Sequence, residues 1–265
     1  MDIVGDRKFV EVPGSKTHEL PPLLVRMAPN VRRLDKVMGM ANELIEQEDM
    51  MPEGMLEVPE VEQLHFKPGQ FVSFNATLNG KKITRPYSIV SLPDGNRFEL
   101  CLNLVHGGVF TPHLFEMKAG DSIETSAPLG FFVVRDPAKE AVFIATGTGI
   151  APFRAMAPDY LSHPHARQLT LIFGVRHERT IYYRDDFDAL ASAYPNFRFW
   201  PTLSRPESSW TGRSGHVQTH LLEAIGDRRD LDVYICGLKA MVDDVRGILK
   251  GLGFDRKQII FEKYD

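Results

Sequence analysis

The sequence predicts a two-domain fold: an N-terminal antiparallel β-barrel over residues 1–136, followed by an α/β domain with a doubly wound parallel sheet over 137–265. Three observations predict it. Residues 66–134 break into short strand-like runs roughly ten residues apart, the spacing of an antiparallel barrel. Beyond residue 140, apolar runs alternate with helical patterns, as parallel strands joined by right-handed crossovers require. Between the two regimes, Asp136-Pro137-Ala138-Lys139-Glu140 reads as a linker.

The first 65 residues are the least clearly patterned. Leu34, Val37, Met38, Ala41, Leu44 and Ile45 recur at helical spacing, with Asn30 as a candidate N-cap and Pro52 and Gly54 as stop signals. An amphipathic, acidic helix is therefore expected within 30–60, an atypical addition to a barrel domain. Methionines 38, 40, 50, 51 and 55 fit ordinary packing better than an adaptable contact surface. The barrel strands are read in FVSFNATL (71–78), ITRPYSIVSL (83–92), RFELCLNLV (97–105), SIETSAPLG (122–130) and FFVV (131–134). Asn79-Gly80 marks a tight hairpin between the first two.

In the second half, AVFIAT (141–146) precedes PFRAMAPDYL, and LTLIFGV (169–175) precedes DDFDALASAY. FRFWPTL (197–203) precedes VQTHLLEAIG, DVYICG (232–237) precedes LKAMVDDVRGILKGLG, and IIFEKY (259–264) closes the series. No internal repeat or low-complexity segment interrupts it.

Composition narrows the function. Hydrophobic residues make up 43% and charged residues 25%, a globular balance, and no apolar run approaches a membrane span. The N-terminus lacks the basic-then-apolar layout of a secretory signal, so a cytoplasmic protein is expected, and a monomer is favoured. A net charge of −4 argues against a nucleic-acid binder. Cys101 and Cys236 are too few for a disulfide framework or for the four thiolates of an iron–sulfur cluster. His216 and His220 stand one helical turn apart without the glutamate of a zinc-protease helix; a plain helix face is expected there, and no metal.

Two stretches carry chemistry. Arg85-Pro86-Tyr87-Ser88 places a cation, a ring and a hydroxyl at one strand, more than a hairpin needs. In AVFIATGTGIAPFRAM, a buried strand ends at Thr146, Gly147-Thr148-Gly149 makes a close turn, and Pro152 suits a first helical turn. Backbone N–H groups and the helix dipole at such a point attract an anion such as a pyrophosphate.

Taken in order, RPYS, Gly107-Gly108-Val109-Phe110-Thr111, GTGIAPFR, Tyr234-Ile235-Cys236-Gly237-Leu238-Lys239 and Glu262-Lys263-Tyr264 resemble the ferredoxin–NADP reductase family over residues 66–265, with features of its plant-type branch. The resemblance implies an FAD-binding barrel followed by an NADP-binding domain, with hydride transfer between NADP(H) and FAD coupled to one-electron transfer with a carrier protein, ferredoxin or flavodoxin. It implies Arg85 at the FAD diphosphate, where the guanidinium fork suits phosphate. It places Tyr87 against one flavin face, the Ser88 hydroxyl near flavin N5, and Gly107, Gly108 and Thr111 around the rest of the diphosphate. Cys236 and Glu262 would flank the nicotinamide, beside Gly237 and Leu238. Tyr264 would cover the second flavin face and swing aside to admit NADPH. Plant-type members end at that tyrosine, whereas Asp265 follows here.

After FRFWP, where the family reads the adenosine ribose, Ser204 and Arg205 suit a 2′-phosphate, with Arg213 and Arg176 as further cations; NADP(H) is expected over NAD(H). For an acidic carrier, Lys81 and Lys82 are one candidate dock, since the 19 acids of residues 1–136 fall to 11 against 14 bases once the eight at 43–62 are set aside. The N-terminal third departs from the family's compact pair of opening strands, which could change partner choice. The alternatives are an NAD(P)H-dependent reductase component of an oxygenase, or a non-catalytic flavin electron-transfer subunit.

Overall fold

A computed structural model describes residues 23–27, 53–105, 107–118 and 120–264, with side chains from residue 56 onward. The helix expected around 34–45 and Asp265 lie outside the described residues.

The first sheet comprises β1 (Leu23–Met27), β2 (Glu53–Glu57), β3 (Phe71–Leu78), β4 (Lys81–Ser88), β5 (Arg97–Cys101) and β6 (Ser122–Thr125), with the short helix α1 (Phe110–Glu116) after β5. Its order is β4-β3-β6-β1-β2-β5, antiparallel throughout. The two outer strands meet: Ile89 bridges to Leu100, and the Val90 N–H donates to the Glu99 carbonyl at 2.9 Å. That seam closes a barrel and removes the exposed edges of an open sheet. Val72, Phe74, Ile89, Phe98, Leu100 and Ile123 fill the interior. Asn79 and Gly80 both have positive φ, 51° and 74°, the turn that suits the twist of β3 and β4.

Three expectations change. Gly54 lies inside β2 rather than stopping a helix. β1 pairs with β2 through Arg26↔Glu57 and Met27↔Leu56, so an opening pair of strands is present, with residues 28–52 between them in sequence. Such a distant pairing leaves no local signal. FFVV is irregular chain: Phe132 leaves the barrel and inserts edge-on between Phe153 and Tyr234, at 5.7 and 6.1 Å between ring centroids.

The second sheet holds β7 (Ala141–Thr146), β8 (Leu169–Val175), β9 (Phe197–Leu203), β10 (Arg213–Ser214), β11 (Asp232–Leu238) and β12 (Ile259–Tyr264). Their order is β10-β9-β8-β7-β11-β12, all parallel. Helices α2 (Ala151–Ser162), α3 (Arg184–Ala193), α4 (Leu221–Ile225) and α5 (Lys239–Gly251) cover it. Because both faces are covered, the strands read as continuous apolar runs. Their residues still alternate: Phe143 and Tyr234 join the core under α2 and α3, while Ile144, Val233 and Ile235 join the core under α4 and α5. The winding reverses between β7 and β11, and ligands of open α/β sheets bind at the carboxyl ends of the strands flanking such a switch.

The segment read as linker is tied down. The Tyr160 hydroxyl donates to the Lys139 carbonyl at 2.7 Å, Lys139 pairs with Asp232, and Glu140 pairs with Arg228.

Candidate active site between barrel and sheet

At the switch point the backbones of β7 and β11 come unusually close. A Cβ on Gly149 would lie 2.3 Å from the Cys236 carbonyl oxygen, and one on Gly237, whose φ is +143°, would lie 2.3 Å from Thr146 Oγ1. Only glycine permits this approach. A single 3₁₀ turn, Gly147–Ile150, follows β7, with Gly147 at φ +54°, and leads straight into α2 with Pro152 in its first turn. No acidic side chain occupies that first turn, which leaves the positive helix end open to an anion.

A cleft of about 660 Å³ lies between this turn and the barrel. Arg85, Pro86, Tyr87, Ser88, Gly108 and Thr111 line it from the barrel side, and Thr148, Glu262 and Tyr264 from the sheet side. Residues as far apart in sequence as Arg85 and Tyr264 thus share one cavity. Ser88 Oγ and the Tyr264 hydroxyl are hydrogen-bonded at 2.5 Å. Register explains the rest of the cluster: in the parallel pair β11–β12, Cys236 stands opposite Glu262 and Leu238 opposite Tyr264. The Tyr264 hydroxyl also bonds the Cys236 thiol.

Burial dominates the electrostatics. It pushes the Glu262 carboxyl up to about 7, so protonated and ionised forms coexist near neutrality. Burial, with the nearby Glu262 carboxylate second, holds the Cys236 thiol well above its ordinary value; this sulfur is a packed, neutral group rather than a thiolate nucleophile. Burial likewise raises Tyr264, and lifts Tyr87 to about 12 against the opposing pull of Arg85. Both phenols are uncharged at physiological pH. The Tyr87 ring is braced by Phe110 and Phe74 at 6.3 and 5.6 Å.

Other predicted residues lie near the cleft or apart from it. Gly107, at φ +73°, makes the turn before Gly108, and the Thr111 hydroxyl accepts from the Val105 N–H at 2.9 Å. Leu238 is exposed at the end of β11. Arg176 and Ser204-Arg205 sit side by side past the ends of β8 and β9, where the Arg205 N–H donates to the Arg176 carbonyl at 3.0 Å. Ser204, Arg205 and Arg176 are all exposed. Arg213 departs from the expectation of a free cation. It forms a two-pronged pair with Glu223 at 2.6 and 2.7 Å and lies 3.8 Å from the Trp200 ring centre.

Two residues escaped sequence reasoning. Asn103 lines the cleft, and its side-chain oxygen is buried without a partner; Thr146 holds an equally unpartnered buried hydroxyl at the switch point. Buried polar atoms are seldom left unpaired, and the Asn103 oxygen belongs to a residue that lines the cleft, whereas the Thr146 hydroxyl is packed against Gly237. The available signal for Asn103 was an amide inside the apolar run LCLNLV.

A barrel closed beside the switch point of a nucleotide-type sheet, with two uncharged phenols on a shared cleft, defines a flavin- and nicotinamide-dependent oxidoreductase. Family models agree. An oxidoreductase FAD-binding domain matches residues 51–134 and an oxidoreductase NAD-binding domain matches 143–247. The chain is 41% identical over 211 residues to ferredoxin–NADP reductase B of Sorangium cellulosum, covering 76% of this chain and 86% of that protein. It therefore belongs to the ferredoxin–NADP reductase family. It is also 30% identical to the toluate 1,2-dioxygenase electron transfer component of Pseudomonas putida, of which it spans 60%. Among solved structures, the Amycolatopsis cytochrome P450 reductase GcoB superposes with a TM-score of 0.77 at 28% identity, covering 94% of this chain and 72% of that one. The ferredoxin NADP+ reductase of Neisseria gonorrhoeae with bound FAD and NADP shares the fold, with a TM-score of 0.68 at 24% identity, covering 91% and 96%.

FAD and a nicotinamide dinucleotide are thus the cofactors of this oxidoreductase. The chain's own residues fit them. The cleft-lining Asn103 carries an unpartnered buried side-chain oxygen, and the first turn of α2 beyond the glycine turn holds no acid that would repel an anion.

Proposed function

We propose that the protein is a cytoplasmic, monomeric ferredoxin (or flavodoxin)–NADP(+) reductase, with residues 1–136 holding FAD and 137–265 holding NADP(H). The observation that carries this reading is the joint lining of one cleft by Tyr87, Ser88, Glu262 and Tyr264, with Cys236 directly behind. Bound FAD supplies the exchange between hydride chemistry and single-electron transfer. The chain's residues do the remainder. Arg85 neutralises diphosphate charge, and Tyr87 offers a flat uncharged face. Ser88 presents a hydroxyl to the ring edge, while Tyr264 occupies the nicotinamide position and excludes water until the dinucleotide arrives. Glu262, titrating about 7, can hold or release a proton beside the reacting rings.

Arg205, Ser204 and Arg176 are the groups for a 2′-phosphate; Arg213 contributes only if Glu223 lets it go. Exposed Lys81 and Lys82 on the β3–β4 hairpin give an acidic carrier a basic approach. No described helix is long and apolar enough to cross a membrane.

A second reading, the reductase component of an oxygenase, is favoured by the pairing of Arg213 with Glu223, which would lower selectivity for NADPH. Anaerobic titration with NADPH and separately NADH, followed by stopped-flow reduction of candidate ferredoxins and flavodoxins, tests both. NADPH preference with rapid carrier reduction is the expected result. NADH preference supports the second reading, and a colourless, flavin-free protein overturns both.

A further inference from the structure

Besides the Ser88–Tyr264 hydrogen bond, the insertion of Phe132 and the bonds of Arg135 to Tyr234 and Lys257, the two domains meet through a partly buried ionic contact and a small apolar seam. Arg154, one turn into α2, donates from Nη1 to Glu99 Oε2 of barrel strand β5 at 2.5 Å and from Nε to Asp186 Oδ2 of α3 at 2.8 Å. Its side chain and that of Glu99 are only 22% and 24% exposed, so the pair is far less screened than a surface salt bridge. The guanidinium also lies 4.6 Å from the Tyr183 ring centre. Burial pulls Arg154 toward deprotonation, but the bonds to Asp186 and Glu99 outweigh it and the cation is retained.

Beside this contact, Val90 and Cys101 of the barrel pack on Ala151 at the head of α2, with Tyr183 against them. Tyr183 adopts a left-handed conformation, φ 57° and ψ 28°, which is strained for a residue with a Cβ. Strain held at a domain seam calls for a function.

Each end of the clamp adjoins the reacting groups. Glu99 sits at the barrel seam, its carbonyl accepting from the Val90 N–H, two residues beyond Ser88, and its own N–H donating to Ser91 Oγ at 3.0 Å. Arg154 stands three residues after Ala151, which lines the cleft beside Thr148 of the glycine turn. The clamp therefore spans the two bodies that must present the flavin strand and the dinucleotide turn to each other.

We infer that Arg154 is a positioning residue: by bridging Glu99 of the barrel and Asp186 of its own domain, it fixes the angle between domains and so the alignment of the two cofactor sites. This rests on the hydride-transfer reading. The alignment matters because displacements near 1 Å can cost such steps about a hundredfold.

The test separates alignment from chemistry. Cys101 and Cys236 are buried, so cysteines introduced at exposed Lys81 and Lys250 take spin labels selectively. Pulsed dipolar spectroscopy then reads the interdomain distance with no nicotinamide present. Arg154→Met, which keeps the apolar stem, and Glu99→Gln should both broaden that distance distribution. Asp186→Asn should leave it narrow, because Asp186 lies in the same domain as Arg154. In the flavin-loaded protein, the two interdomain variants should slow reduction at saturating NADPH at least about tenfold while dinucleotide affinity changes by less than about threefold. An unchanged distance distribution in both Arg154→Met and Glu99→Gln overturns the inference. Broadening without slower reduction overturns the link to alignment. Failure of the wild-type protein to be reduced by either dinucleotide sinks the hydride-transfer reading instead, whatever the distances.

Discussion

The Ser88 hydroxyl and the Tyr264 hydroxyl lie 2.5 Å apart, joining the barrel strand that carries Tyr87 to the last strand of the parallel sheet. Tyr264 thereby occupies the cleft through bonds to both Ser88 and Cys236. On the proposed reading, a dinucleotide ring breaks these contacts to enter. Tyr264→Ser should raise kcat/KM for NADH by at least about tenfold, since each 1.4 kcal/mol of displaced contact is worth that factor. Steady-state kinetics with both dinucleotides checks it, and an unchanged preference removes the gating role.

Arg205 is exposed and free of any side-chain partner among the described contacts, whereas Arg213 is bound to Glu223. Arg205→Ala should raise the KM for NADPH about 10- to 100-fold, the worth of a charge-assisted hydrogen bond, and leave that for NADH unchanged. Glu223→Gln should act oppositely and lower the KM for NADPH several-fold by releasing the Arg213 guanidinium. Equal effects on both dinucleotides would remove the phosphate role.

Glu262 supplies a pH dependence of defined sign. Burial raises its carboxyl from the ordinary 4.5 to about 7, so between those values the folded protein binds more protons than the unfolded chain. Stability of the cofactor-free protein must then fall as pH rises from about 4.5 to 7, in proportion to that proton excess. Glu262→Gln should flatten this slope in urea titrations across the window. A slope that survives the substitution assigns it to another group.

Gly149→Ala tests the switch point. Its Cβ would meet the Cys236 carbonyl at 2.3 Å, and neither partner is a flexible side-chain end. Forced separation of β7 from β11 should cost about 1–3 kcal/mol in chemical denaturation and weaken dinucleotide binding. A variant of wild-type stability would mean that the two backbones part freely.

Much of this was legible in the residues. The buried strand AVFIAT, the Gly147-Thr148-Gly149 turn and Pro152 announced a strand, a close turn and a helix, because each depends on local backbone preference. Asn79-Gly80 announced its hairpin for the same reason. The pairing of β1 with β2 was invisible because its partners lie about thirty residues apart with no turn chemistry between them to fix register. FFVV looked like a strand because alternation cannot say that Phe132 finds its partners in another domain.

By itself the sequence determined the two fold regimes and the order of the RPYS and glycine-turn stretches, since these follow from periodicity, glycine placement and residue chemistry, while the groups proposed at the rings come from the family resemblance. Only the tertiary structure decided that Arg213 is held by Glu223, that Asn103 and Thr146 are buried without partners, that Glu262 titrates about 7, and that Arg154 ties one domain to the other. Charge pairing and burial are properties of neighbours in space, and a chain fixes those only once it has closed on itself.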